Sequence, residues 1–95
     1  MGHGKRLAML RDAQGRICAG CGRPLAMQRE GKRSRNFPYS LTFDHVIPRH
    51  QGGTRSIDNG LAKHRACNAK RADNPPTGCD HIWQAVVYAR LGLAS

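Results

Sequence analysis

The stretch Tyr39-Ser40-Leu41-Thr42-Phe43-Asp44-His45-Val46-Ile47-Pro48-Arg49-His50-Gln51-Gly52-Gly53 decides how the chain is read. Its first five residues alternate apolar and polar, the period of a half-buried strand. That strand ends on the adjacent pair Asp44-His45. Pro48 and the Gly52-Gly53 pair then force a sharply turning loop over residues 46–58. Successive side chains leave a strand on opposite faces, so the carboxylate and the imidazole point different ways. Asp44 is the only acidic residue between Gly31 and Ile57. Such a carboxylate is either an ion-pair partner or the holder of a cation whose other side meets a phosphate. Magnesium takes one or two carboxylates in that way. The imidazole beside it is placed to activate water as a general base.

Working outward, a short second strand is expected at Asn59–Leu61. A helix should start near His64–Cys67 and carry Ala69, Lys70 and Arg71, broken by Asn74-Pro75-Pro76-Thr77-Gly78. Asp80 is expected to cap a last helix whose apolar face is Ile82, Trp83, Val86, Val87 and Leu91, packed on the core. Tyr88 and Arg90 on the same helix mark a surface where a protein partner would sit. Residues 5–14 are good helix formers with Gly15 as a stop. Arg23, Arg29, Lys32, Arg33 and Arg35 stand against one acid, Glu30, and read as a basic loop over residues 23–36. No repeat and no second domain is visible, so residues 1–95 form one domain.

The charge balance narrows the partners. Sixteen Lys and Arg face six Asp and Glu, a formal charge of +10. Solubility asks for a magnitude of roughly 2–8 in a small domain, so the excess points to a polyanion. No apolar run approaches the roughly 20 residues of a membrane span, which sets a membrane partner aside. No apolar segment follows Met1–Arg6 as a signal peptide requires, so a cytoplasmic, reducing compartment is expected.

In that compartment cysteines read as metal ligands rather than disulfides. Cys18-x-x-Cys21 and His64-x-x-Cys67 are two knuckles of two ligands each, separated by 42 residues. Tetrahedral zinc accepts such a set, and four protein ligands close its sphere, so the ion is structural. Cys79 and His81 are rivals for the place given to His64. A chain this short needs such a staple, because aromatic residues are only 5% of it and its core is small.

Taken together, these motifs closely resemble the HNH endonuclease family. The family pattern runs Cys-x-x-Cys, Asp-His-x-x-Pro, Gly-Gly, Asn, then Cys-x-x-Cys-Asn-x-x-Lys. The chain supplies Cys18, Cys21, Asp44-His45, Pro48, Gly52-Gly53, Asn59, His64 for the usual cysteine, Cys67, Asn68, and Lys70 or Arg71. The resemblance covers about residues 17–72. It implies an α+β fold, a small zinc-stapled ββα-metal domain, here with helical extensions over 1–16 and 80–92. It implies a DNA endonuclease that hydrolyses phosphodiester bonds, nicking or cutting both strands and leaving a 3′-hydroxyl and a 5′-phosphate. His45 is implied as general base and Asn59 as the residue that orients it. Asp44 and Asn68 are implied as ligands of a catalytic divalent ion, Mg2+, Mn2+ or another. Asn68 stands where many members have histidine, and its amide oxygen suits a hard cation whereas imidazole suits a transition metal. Arg49, Lys70 and Arg71 are expected on the DNA. Small free-standing members are often phage-encoded and act beside genome-packaging proteins, inside a bacterial host. The alternative is a non-catalytic zinc module that binds nucleic acid or a protein.

Overall fold

The structure is a computed structural model that describes residues 3–25, 38–72 and 74–94. In chain order it contains helix α1 (His3–Ala13), strand β1 (Leu41–His45), strand β2 (Gly60–His64), helix α2 (Arg65–Arg71) and helix α3 (Gly78–Leu91). Single 3-10 turns at Arg49–Gln51 and Ile57–Asn59 shape the loop between the strands. The expected basic residues Arg29, Lys32, Arg33 and Arg35 lie outside the described residues. No helix among the described residues is long and apolar enough to cross a membrane.

The two strands pair antiparallel, with Leu41 opposite His64, Asp44 opposite Leu61 and His45 opposite Gly60. β2 runs past the expected end at Leu61 to His64. Lys63 and His64 look like poor strand residues because burying them is costly. Here each is buried against specific polar partners, which removes that objection. Leu41, Phe43, Leu61 and Ala62 of the sheet pack with Leu7 and Leu10 of α1, Cys18 and Ala19 of the cysteine turn, and Val87 of α3. Leu7, Leu10 and Gln14 follow the three-and-four spacing of one helix face. Gln14 is buried at the end of that face: its Nε2 donates to the Ala62 carbonyl at 2.9 Å and its Oε1 accepts from the Ala62 amide at 2.7 Å.

α3 starts one turn earlier than the sequence suggests. Thr77 is the cap: its hydroxyl accepts from the Asp80 amide at 3.2 Å, and the Asp80 carboxylate accepts from the Thr77 amide at 2.9 Å. This reciprocal pair is a capping box. The expected apolar face is also turned. Val87 is fully buried and Trp83 and Leu91 pack on the core, but Ile82 is 67% exposed. Asp80 is buried to meet Lys63, and a helix that points residue 80 inward points residue 82 away. Tyr88 and Arg90, expected at a partner surface, also fasten α3. The Tyr88 hydroxyl donates to the Asp58 carbonyl and Arg90 Nη1 to the Ala13 carbonyl, each at 2.6 Å.

Gly53 closes the loop after β1. A Cβ there would stand 1.7 Å from the Ile47 carbonyl oxygen, an impossible distance with backbone on the other side. Gly53→Ala must therefore push the loop open, and we expect it to cost about 2–3 kcal/mol of unfolding free energy. A denaturant titration showing a loss under about 0.5 kcal/mol would mean the loop yields freely.

Candidate active site and metal centre

The cysteine turn is tight because Gly22 takes a left-handed conformation (φ 75°) and returns its amide to the Cys18 carbonyl at 2.9 Å. That turn presents Cys18 and Cys21 to the junction of β2 and α2, where His64 and Cys67 stand. Their four ligand atoms all lie within 4.8 Å of one another, the only such group of three or more His, Cys, Asp or Glu among the described residues. Cys21 Sγ is 3.4 Å and Cys67 Sγ 4.0 Å from His64 Nδ1. Donors about 2.0–2.3 Å from one tetrahedral ion lie roughly 3.3–3.8 Å apart, so Cys21 and His64 already stand at zinc spacing and the wider Cys67–His64 pair would draw in slightly around the ion.

The surroundings favour a metal as well. His64 Nε2 faces the Pro24 carbonyl at 3.1 Å. Donating a proton there leaves Nδ1 bare toward the sulfurs, the usual outer support of a ligating histidine. The amides of Gly20 and His64 both point at Cys18 Sγ, at 3.3 Å each, as they would toward a thiolate. Burial, followed by the nearby Cys18 sulfur, pushes the Cys67 thiol up to about 12. The Cys21 thiol goes down: burial works upward, but the backbone at Arg23 and the neighbouring thiols outweigh it. Cys79 and His81, the rival ligands, are exposed and outside the group.

A second site lies beyond the metal group. An open groove is lined by Asp44, His45, Arg49, His50, Arg65 and Asn68, with Pro48, Ala69 and Ala72 completing it. β1 delivers Asp44 and His45, and α2 lays Asn68 against the same strand. Asn68 Nδ2 contacts Thr42 Oγ1 and the Phe43 carbonyl, both at 3.3 Å. The His45 ring meets the Phe43 ring edge-on at 4.9 Å. Asn59 is buried and clamps the chain just after His45. Its Oδ1 accepts from the Ile47 amide at 2.9 Å, and its Nδ2 donates to the carbonyls of Ile47 and Thr54 at 3.1 and 2.9 Å. Its own carbonyl accepts from the Val46 amide at 2.9 Å.

Two placements differ from the sequence reading. Arg71, expected on DNA, is buried and turned inward. Its Nη1 donates to both Asp44 oxygens, at 2.8 and 2.9 Å, and to the His45 carbonyl at 2.9 Å, while Nη2 meets the Val46 carbonyl. A carboxylate and two carbonyls satisfy a planar guanidinium better than open solvent at a crowded strand end. Asp44 has a second cation against it, Lys63 Nζ at 2.7 Å from Oδ2. A carboxylate and an amide oxygen are the hard donors a magnesium-like ion takes, so Asp44 and Asn68 fit in kind. The Asp44 oxygens are nevertheless already shared with two side-chain cations. Lys70 is exposed as expected, but it borders a cleft beside Cys21 and Cys67, not the groove.

Sequence reasoning missed four residues. Arg65 lines the groove, and its spacing of three from Asn68 and four from Ala69 was the available signal. Lys63, Gln14 and the ion pairing of Asp80, which the sequence marks only as a helix cap, gave none, since those partners are distant in the chain. Asp80 Oδ1 accepts from Lys63 Nζ at 2.7 Å, and its Oδ2 lies 3.4 Å from Arg71 Nε. Burial works against the Asp80 charge, but Lys63, the Thr77 amide and Arg71 prevail and hold its carboxyl below the usual range. A folded-state value below the unfolded value means the stabilisation is complete above about pH 4 and is lost as pH falls through the lower, folded value. Unfolding free energy should therefore fall on acidification below about pH 4, and Asp80→Asn should flatten that part of the curve. An unchanged acid limb in Asp80→Asn would exclude this carboxylate as its source.

A family model described as HNH endonuclease matches residues 18–74, more than half of the chain. Comparison with curated proteins and with solved structures returned no match.

Proposed function

The chain belongs to the HNH endonuclease family, and from that premise we propose that it is a metal-dependent DNA endonuclease acting in the groove between β1 and α2. The observation that carries this reading is the meeting of His45, Asp44 and Asn68 in one open groove rimmed by Arg49 and Arg65. His45 takes a proton from water, the resulting hydroxide attacks phosphorus, and the bond to the leaving 3′ oxygen breaks, that oxygen taking up a proton from a second water. The products are a 3′-hydroxyl and a 5′-phosphate. Asn59 keeps residues 46 and 47 in place, so the imidazole is presented in one orientation. Asp44 and Asn68 would hold a divalent cation, Mg2+ or Mn2+, whose charge, when it is bound, offsets that on the phosphate and the leaving oxygen. Arg49 and Arg65 grip phosphates, which positions the duplex without reading its sequence. Zinc in the Cys18, Cys21, His64 and Cys67 group is the structural staple.

The test is conversion of supercoiled plasmid to the nicked form by zinc-loaded protein with Mg2+ or Mn2+. The duplex contact has its own check. Each neutralised phosphate adds about 0.9 to the slope of log affinity against log salt, so Arg65→Ala should lower the slope by about one phosphate. A slope unmoved by Arg65→Ala would take that side chain off the DNA. A second reading, a non-catalytic zinc module on nucleic acid, is favoured by one observation. The Asp44 carboxylate is engaged by Lys63 and Arg71. Binding without cleavage under any divalent metal would decide for it.

A further inference from the structure

A buried cluster of four charges joins the groove to the C-terminal helix. Asp44, Lys63, Arg71 and Asp80 are each no more than 8% exposed. Lys63 Nζ stands 2.7 Å from an oxygen of each acid, Asp44 Oδ2 and Asp80 Oδ1. Arg71 bridges the same two acids, with Nη1 on Asp44 and Nε toward Asp80. Two carboxylates thus balance two cations. Asp44 is the member that lines the groove, whereas Lys63, Arg71 and Asp80 line the cleft beside the cysteines.

We propose that Lys63 and Asp80 are positioning residues that set how firmly Asp44 holds a divalent cation, Lys63 weakening and Asp80 strengthening that hold. The proposal rests on the reading above in which Asp44 is a cation ligand. A divalent cation at Asp44 adds positive charge beside Lys63 and Arg71, which opposes its binding. Asp80 draws those two side chains toward itself and offsets their charge. Charges this close in a buried cluster are poorly screened, so changing one of them is felt at the others. Neither Lys63 nor Asp80 lines the groove, and both act through Asp44 and Arg71. α3 is thereby part of the site, although it lies outside the family motif.

The two roles have opposite signs, which separates them from a merely structural one. Asp80→Asn keeps the shape of the side chain and leaves two buried cations on one carboxylate. Lys63→Met keeps the length and leaves two carboxylates on Arg71. Mn2+ binding to the zinc-loaded full chain, without DNA, is read from the paramagnetic resonance signal of free Mn2+. Asp80→Asn should weaken binding by about tenfold, and Lys63→Met should tighten it by about tenfold. The double variant restores charge balance and should return to within about threefold of wild type. Zinc content and a thermal melt check the fold of each variant. If Lys63→Met alone does not fold, Asp80→Asn against the double variant carries the same sign: tighter binding in the double supports the proposal, and no gain overturns it. Weakening in both single variants, no change in either, or no Mn2+ binding by wild type at millimolar concentration also overturns it. Plasmid nicking by wild type is scored separately. Nicking with unmoved Mn2+ affinities removes this inference and leaves the nuclease reading standing. Opposite shifts without any nicking do the reverse.

Discussion

His45→Ala is expected to lower the plasmid-nicking rate by about a thousandfold while zinc content and thermal melt stay near those of wild type. A positioned general base contributes about 10²–10⁴-fold. The fold should tolerate the change because the backbone at this position is held independently of the ring. His45 is paired with Gly60 at the end of β1. Its carbonyl accepts from Arg71 Nη1 at 2.9 Å. The next two residues are pinned by Asn59 through the Val46 and Ile47 amides. Among the contacts of the ring, the edge-on one with Phe43 is worth about 1 kcal/mol. A single-turnover assay at saturating Mn2+ measures the chemical step directly. Cutting by the variant within about threefold of wild type would remove His45 from the mechanism, and a collapsed melt would mean that the loss reports folding instead.

Removing zinc should have the larger effect on the molecule as a whole. A structural zinc of this ligand type contributes about 10–16 kcal/mol at neutral pH, comparable to or above the roughly 5–15 kcal/mol of a whole domain. Cys18 and Cys21 lie on the turn after α1, and His64 and Cys67 on the junction of β2 and α2. Without the ion, those segments lose their direct tie, and three sulfurs and an imidazole are left crowded together. A strong zinc chelator is expected to abolish the cooperative melt, and Cys18→Ser to reproduce that loss, whereas Cys79→Ser should melt and retain zinc as wild type does. The pH dependence has a definite sign. The Cys67 thiol, pushed up to about 12 by burial and its sulfur neighbours, holds a proton that the metal must displace. Acidification therefore weakens zinc binding and, with it, the fold. A melt unchanged by chelation, or zinc lost with Cys79→Ser, would overturn the assigned ligand set.

Local spacing made the two knuckles and the Asp44-His45 strand end legible in the sequence, whereas the Asn59 and Asn68 positions came from the family resemblance. The knuckles and the strand end are each a short pattern with its own chemical reason. The charge cluster was not legible, and the reason is combinatorial. With 16 Lys and Arg in the chain, nothing local tells Arg71 from Lys70. Their separation depends on Asp44, which is 27 residues from Arg71 and reached only once α2 has packed on β1. Lys63 is read as ending a strand until its partner Asp80 is known. The rotation of α3 follows from the same buried carboxylate, so an apolar pattern alone put Ile82 on the wrong side. The hydrogen bonds of Tyr88 and Arg90 were not legible either, because their carbonyl acceptors, Asp58 and Ala13, carry no side-chain signal at all.

The buried amide of Gln14 has a consequence for the behaviour of the chain among its own copies. A primary amide that gives to one carbonyl and takes from the same residue's N–H does what the peptide of a neighbouring strand would do. At Ala62 it occupies the hydrogen-bonding places through which β2 would add a third strand. An unsatisfied strand edge is the template on which identical molecules zip together. Here a side chain from a helix, with the Ala19 amide on the same carbonyl at 3.2 Å, impersonates that missing strand, so β2 is closed at its middle residue to recruitment of its own kind.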